Sequence, residues 1–284
     1  MIVVTGATGK LGEHVIETLL QKIPAHQIIA AVRTPEKAKN FSERGVQVRE
    51  ADYSKPATLT SAFAGATKLL LISSNEVGQR LPQHKAVVDA ARVAGVGLLA
   101  YTSILRADTS TLSLAAEHRA TEEYIRASGL PFVFLRNGWY VENQTESLGP
   151  ALEHGAILGA AQDGRFSSAS RADYAESAVA VLTREGQENR VYELVGDGSY
   201  TLSELAAEVA RQTSKTIAYH DLPVQEYVKT LAGFGLPAPL AEVLADADAG
   251  ASRGELYSSS QDLNNLIGHL TLTMEAAVAL ALKN

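Results

Sequence analysis

The chain opens on a short apolar run, Ile2-Val3-Val4-Thr5, that leads into Gly6-Ala7-Thr8-Gly9-Lys10-Leu11-Gly12 and a helical pattern from residue 11 to about 22. No other segment restricts the fold as much. Glycines three apart between a strand and a helix let the chain turn tightly, bring its backbone against a pyrophosphate, and pack the helix close on the strand. The first helical amides, at the positive end of the helix dipole, then face the phosphates. Gly6, Ala7, Thr8, Gly9, Lys10, Leu11 and Gly12 are therefore candidates to hold a dinucleotide. A plain turn is the alternative for a glycine pattern taken alone; the order strand, turn, helix favours binding.

Apolar runs at 2–5, 27–33, 46–51, 68–73, 97–102 and 131–136 alternate with helical stretches at 11–21, 35–44, 57–64, 82–94 and 114–128. This alternation predicts an α/β fold, a Rossmann-type doubly wound parallel sheet. Beyond Gly138 the pattern gives a helix at 172–184, a strand at 190–195, and a helix at 201–213 opened by Thr201 and Glu204 as a capping box. Prolines and glycines then punctuate short helices. The expected organisation is a dinucleotide-binding domain over 1–150, completed by about 172–215, and a small, mainly helical C-terminal lobe over 216–284 that forms the substrate cleft.

Charge and cysteine content exclude several functions. With 32 acidic against 25 basic residues, a net charge of -7 and no basic run, the chain has no attraction for nucleic acid. The absence of cysteine removes disulfides, thiolate zinc sites and thiol nucleophiles, and no metal is expected. No apolar run reaches the roughly 18 residues a membrane helix needs. Membrane insertion is not expected. Because the chain begins on its first core strand, no room is left for a signal peptide, and the cytoplasm is the expected address.

Ligands of doubly wound sheets lie beyond the carboxyl ends of the strands. The second run ends at Arg33, where an NAD enzyme usually has an acidic residue and an arginine suits the 2′-phosphate of NADP. No carboxylate follows until Glu36, so NADP is the expected cofactor, with Lys37 as support. Asp52, closing the third run, suits either the adenine amino group or a turn. Ser73, Ser74 and Asn75 follow the fourth run and suit the ribose and pyrophosphate, or a turn. Thr102 and Ser103 end the fifth at nicotinamide depth.

Ordinary short-chain dehydrogenases move the proton with a Tyr four residues before a Lys, and none of the ten tyrosines here has Lys at that position. The corresponding helix carries His118 and Glu122, which share one face at i, i+4. They suit a weak acid or, more simply, a solvated polar face.

Gly6-Ala7-Thr8-Gly9-Lys10-Leu11-Gly12, Arg33, residues 69–74, Val77-Gly78-Gln79-Arg80, Tyr101-Thr102-Ser103, residues 135–140 and Ser170-Arg171-Ala172-Asp173-Tyr174 together resemble the NmrA-like atypical short-chain dehydrogenases. The resemblance runs nearly the whole length, including residues 246–252, and is strongest to bacterial members that reduce quinones with NADPH. Triphenylmethane dye reductases are similar too, with different loops after the fourth and sixth strands. The resemblance implies a small planar quinone as substrate and puts Asn137, Gly138, Trp139 and Tyr140 beside the nicotinamide. Trp139 and Tyr140 also suit the core. Arg171 resembles a position near the cofactor, with capping of its helix as the alternative.

A reduced quinone is a delocalised phenolate-type anion, so a strong proton relay is dispensable. Asn143 is the first candidate to stabilise that oxyanion, with Tyr140 in the same loop. One fingerprint accounts for one cofactor, so direct transfer without a flavin is expected. The rivals are a non-catalytic NADP-binding redox sensor of the NmrA type and a dye reductase; a nucleotide-sugar epimerase would need the absent tyrosine relay. The oligomeric state is left open, with a homodimer admitted.

Overall fold

Strands form where apolar runs can be covered on both faces. The computed structural model, which describes residues 1–283, has β1 Ile2–Thr5, β2 Ile28–Val32, β3 Gln47–Glu50, β4 Lys68–Leu71, β5 Leu98–Ile104, β6 Phe132–Asn137, β7 Ala156–Gly159, β8 Arg190–Leu194 and β9 Ala218–Asp221. Seven of these make one sheet in the order β3-β2-β1-β4-β5-β6-β8. Val3 stands opposite Ile29 and Leu69, and Tyr101 opposite Phe134, all in parallel register. β8 runs the same way, since Asn189 N–H donates to Phe132 O at one end and Gly138 N–H to Leu194 O at the other. This is the expected Rossmann-type doubly wound sheet.

Every residue of β1, β2 and β5 is buried, as in parallel sheets with helices on both faces. The helix Lys10–Leu20 buries Leu11, Val15, Ile16 and Leu19 and packs against Arg171–Thr183. Leu59, Phe63, Leu69, Val87, Tyr101 and Phe134 fill one core.

The chain groups into two compact units. The first comprises Met1–Ala107, Glu117–Asn137 and Arg171–Glu193; the second comprises Asp108–Ala116, Gly138–Ser170 and the chain from Leu194 onward. Residues from 216 onward fall within the second unit, which also draws on two earlier segments. In it, Ser113 N–H donates to Asp246 Oδ2 at 2.7 Å, and a Cβ on Gly250 would come within 2.2 Å of Leu112 Cδ2. The 246–252 motif thus anchors the start of the helix Ser113–Ala127. Thr201 and Glu204 form the capping box read from the sequence.

Two elements differ from expectation. The helix read at 35–44 is a 3-10 turn, Pro35–Ala38, followed by Lys39–Ser42. Only Ala38 and Phe41 there are buried, too little apolar surface to hold a longer helix. The second unit also contains two strands that the sequence reading does not include, β7 and β9, which pair in parallel as a small second sheet. Among the described residues, no helix is long and apolar enough to cross a membrane.

Candidate functional site

The strand order reverses between β1 and β4, the place where a doubly wound sheet opens a crevice for ligand. The glycine turn stands at this point. Gly6 has φ +60°, and a Cβ on Gly12 would lie 2.3 Å from Gly6 O, so the chain itself requires both glycines. Gly9 is different. At φ -84° and ψ 161° any residue is at ease, and a Cβ there would touch only Gly6 O at 3.2 Å. The fold thus presses on Gly9 less than on Gly6 and Gly12, and the open backbone there suits a pyrophosphate.

Gly9 opens the helix Lys10–Leu20 without a side-chain cap, and the first helical bond is Glu13 N–H to Gly9 O at 2.9 Å. The amides before that bond suit an anion. Ala7 and Leu11 are buried, so any part they play is through the backbone, whereas Lys10 and Gly9 are exposed and Thr8 half-buried. These residues fit a dinucleotide.

Arg33 lies one residue past β2 and is exposed, and its Nη1 pairs with Glu76 Oε1 at 2.9 Å. Sequence reasoning missed Glu76, which reaches Arg33 from the loop after β4. Asp52 is buried and has a turn role: Oδ1 accepts from Ser54 N–H at 3.0 Å and from Ser54 Oγ at 2.6 Å, and Oδ2 faces Lys55 at 3.4 Å. The Ser54 hydroxyl holds its carboxyl below the usual range.

The loop from Ser73 to Gln79 is fixed from below. Ser73 N–H donates to Thr102 Oγ1 at 2.8 Å, and Ser74 N–H to His84 Nε2 at 2.9 Å. Gly78 and Arg80 donate their backbone N–H groups to the Glu117 carboxylate, and Arg80 Nε donates to Ser74 O at 2.6 Å. Asn75 is left exposed at the loop's outer edge. His84 accepts at Nε2, so Nδ1 carries the proton and donates to Thr121 Oγ1 at 3.0 Å. His118 Nε2 faces Arg80 Nη1 at 3.4 Å, which leaves Nδ1–H for the Tyr101 hydroxyl at 2.7 Å.

His118 and Glu122 therefore do not form a solvated face. They are 5% and 1% exposed, because their partners lie on β5, β6 and the neighbouring helix rather than in water. The same contacts make His118 part of the folded interior, so His118→Ala is expected to loosen the protein rather than leave it unaffected.

Burial and the Arg80 guanidinium hold His84 down to about 3, and burial, Arg80 and His84 keep His118 well below its ordinary value. Unfolded histidines take a proton below about pH 6.5 that these two refuse when folded. Their stabilisation is fully present above that pH and is lost as pH falls. Burial, with Asp221 nearby, pushes Asp248 up to about 7, so it stays protonated in the fold and offsets one histidine. The net expectation from about pH 6.5 down to 4 is that stability falls, the two histidines outweighing Asp248. Urea unfolding across that window measures the slope; flat or rising stability would contradict a buried neutral pair.

At the carboxyl ends of β5 and β6, Arg136 binds Glu122 through Nε at 2.9 Å and Nη2 at 2.8 Å, and Glu193 through Nη1 at 2.8 Å. Ser103 Oγ donates to Glu122 Oε1 at 2.7 Å. Thr102 and Ser103 lie within β5, which runs on to Ile104. Beyond Arg136, Asn137 is 5% exposed and its Oδ1 meets no donor among the described residues. A buried oxygen in that state needs a partner from elsewhere.

Gly138, Trp139, Tyr140 and Asn143 belong to the second unit. There Val141 N–H donates to Ala169 O at 3.0 Å and Ala169 N–H to Trp139 O at 3.2 Å, which clips the segment in place. Trp139 is buried, Tyr140 and Asn143 are half-buried, and the Asn143 N–H donates to Tyr140 O at 3.1 Å. Arg171 begins the helix Arg171–Thr183 in the first unit.

Strand order and a glycine turn at the point where that order reverses define a protein of the doubly wound class. The chain belongs to the NAD(P)H-binding family, which it matches over residues 6–185. It is 52% identical over 279 residues to quinone oxidoreductase 2 of Escherichia coli (strain K12), with 98% of each chain covered. The crystal structure of the NADPH-dependent quinone oxidoreductase from that species, complexed with NADPH, matches with a TM-score of 0.97 at 51% identity over 100% of both chains. Triphenylmethane reductase of Citrobacter sp., complexed with NADP(H), matches with a TM-score of 0.95 at 42% identity over 99% of this chain and 100% of its own.

Proposed function

We propose that this protein is an NADPH-dependent quinone oxidoreductase that works without a flavin. The observation that carries the reading is the fate of the helix Ser113–Ala127. The titratable groups that it brings to the sheet are bound up in the interior, His118 with Tyr101 and Glu122 with Arg136 and Ser103. None of these is placed as a proton donor to an acceptor, so the acceptor is one whose reduced form is stable as an anion. A quinone meets that condition, and the 52% identical relative bears the name of that activity.

When bound, NADPH supplies a hydride. The chain holds it through Gly9 and the first amides of the following helix at the pyrophosphate, Arg33 at the 2′-phosphate, Ser73, Ser74 and Asn75 at the ribose, and Asn137 and Thr102 towards the nicotinamide. Asn137 Oδ1 is suited to accept from the carboxamide. Asp52 supports the adenine end through its turn, and Arg171 the nicotinamide end. Gly138, Trp139 and Tyr140 shape the loop that receives the acceptor, and the Asn143 amide donates to its developing oxyanion. A triphenylmethane dye, named with the 42% identical Citrobacter reductase, is the second acceptor class for such a site.

Asn143→Ala is expected to lower quinone reduction by up to about 100-fold while NADPH still binds. Stopped-flow mixing with a simple benzoquinone, beside an NADPH titration, measures both. An unchanged rate would remove Asn143 from the chemistry, and a flavin in the purified active protein would overturn direct transfer.

A further inference from the structure

Arg33 is met by a carboxylate that the fold delivers from a neighbouring loop. Glu76 Oε1 lies 2.9 Å from Arg33 Nη1, Oε2 accepts from Gln83 Nε2 at 2.7 Å, and the Glu76 N–H donates to Ser74 Oγ at 3.1 Å. Glu76 is thus fixed on three sides although its side chain is 44% exposed. A pair this exposed adds little stability, so the fold does not account for its placement.

We propose that Glu76 sets the balance between NADPH and NADH by opposing Arg33; this rests on the reading that Arg33 receives the 2′-phosphate. With NADPH, the phosphate and the Glu76 carboxylate are two like charges sharing one guanidinium, which weakens the cofactor's hold. With NADH, a carboxylate is the acceptor that a ribose 2′-hydroxyl takes in NAD enzymes. The chain carries the arginine of one cofactor class just past β2 and the carboxylate of the other on the loop after β4. Both cofactors are served, and the charge at Glu76 decides by how much.

Glu76→Gln removes the charge and keeps the size and a bond to Gln83. In fluorescence titrations of the full chain at low salt, the Kd for NADPH falls about 3- to 10-fold, the size of one screened charge contact near a surface. The Kd for NADH rises at the same time. At about 1 M salt, where the Debye length is near 3 Å, the NADPH gain shrinks. Arg33→Ala separates the two levels of the argument. It abolishes the NADPH preference if Arg33 receives the phosphate, whereas equal losses for both cofactors overturn that reading and this one with it. If Arg33→Ala does abolish the preference, a Glu76→Gln variant with an unchanged Kd ratio or weaker NADPH binding overturns the proposal, because Glu76 then only braces Arg33.

Discussion

Gly9→Val is expected to abolish NADPH binding while leaving the protein folded. Gly9 sits in extended backbone at φ -84° and ψ 161°, which a β-branched residue adopts readily. A Cβ there would approach only Gly6 O, at 3.2 Å, so a shift of a few tenths of an ångström admits it. What the valine removes is the surface on which the pyrophosphate lies. Gly12→Ala is the contrasting variant, because its Cβ would fall 2.3 Å from Gly6 O and displace the helix. Circular dichroism and thermal unfolding report the fold, and a titration with NADPH reports the site. A Gly9→Val protein that is folded and binds normally would mean that the glycines serve the turn alone.

Arg136→Met is expected to cost about 3–5 kcal/mol, the usual penalty for removing one partner of a buried ion pair. Glu122 is 1% exposed and loses two of its hydrogen bonds, keeping Ser103 and the more distant Arg126. Adding Glu122→Leu should recover much of the loss, since replacing both charges by apolar groups is far less costly than stranding one. Urea unfolding of both variants makes the comparison. A double variant no more stable than the single one would show that Arg136 acts through packing.

The parts of this molecule that could be read from sequence are those whose signals are local. β1, β2 and β5 are buried on both faces and so appear as mainly apolar runs, and the glycine turn and the Thr201 to Glu204 box each lie within a few residues. The small sheet was hidden because β7 and β9 have four residues each and β9, Ala218-Tyr219-His220-Asp221, is mostly exposed, without an apolar period. His118 and Glu122 were misread for a related reason. Polar residues on one helical face ordinarily point to water, and only the fold reveals Tyr101 on β5 and Arg136 on β6 as their partners. Glu76 stands 43 residues from Arg33, so no local spacing could join them.

The most direct measurement is a single-turnover reaction of flavin-free protein with a benzoquinone and NADPH that carries deuterium at the transferred position. If the hydride passes directly to the quinone with no side chain as obligatory proton donor, deuterium slows the chemical step. The rate is then nearly flat between about pH 6 and 8, because no catalytic group titrates there. Absence of NADPH oxidation across several quinones, or activity that appears only when flavin is added, would contradict it.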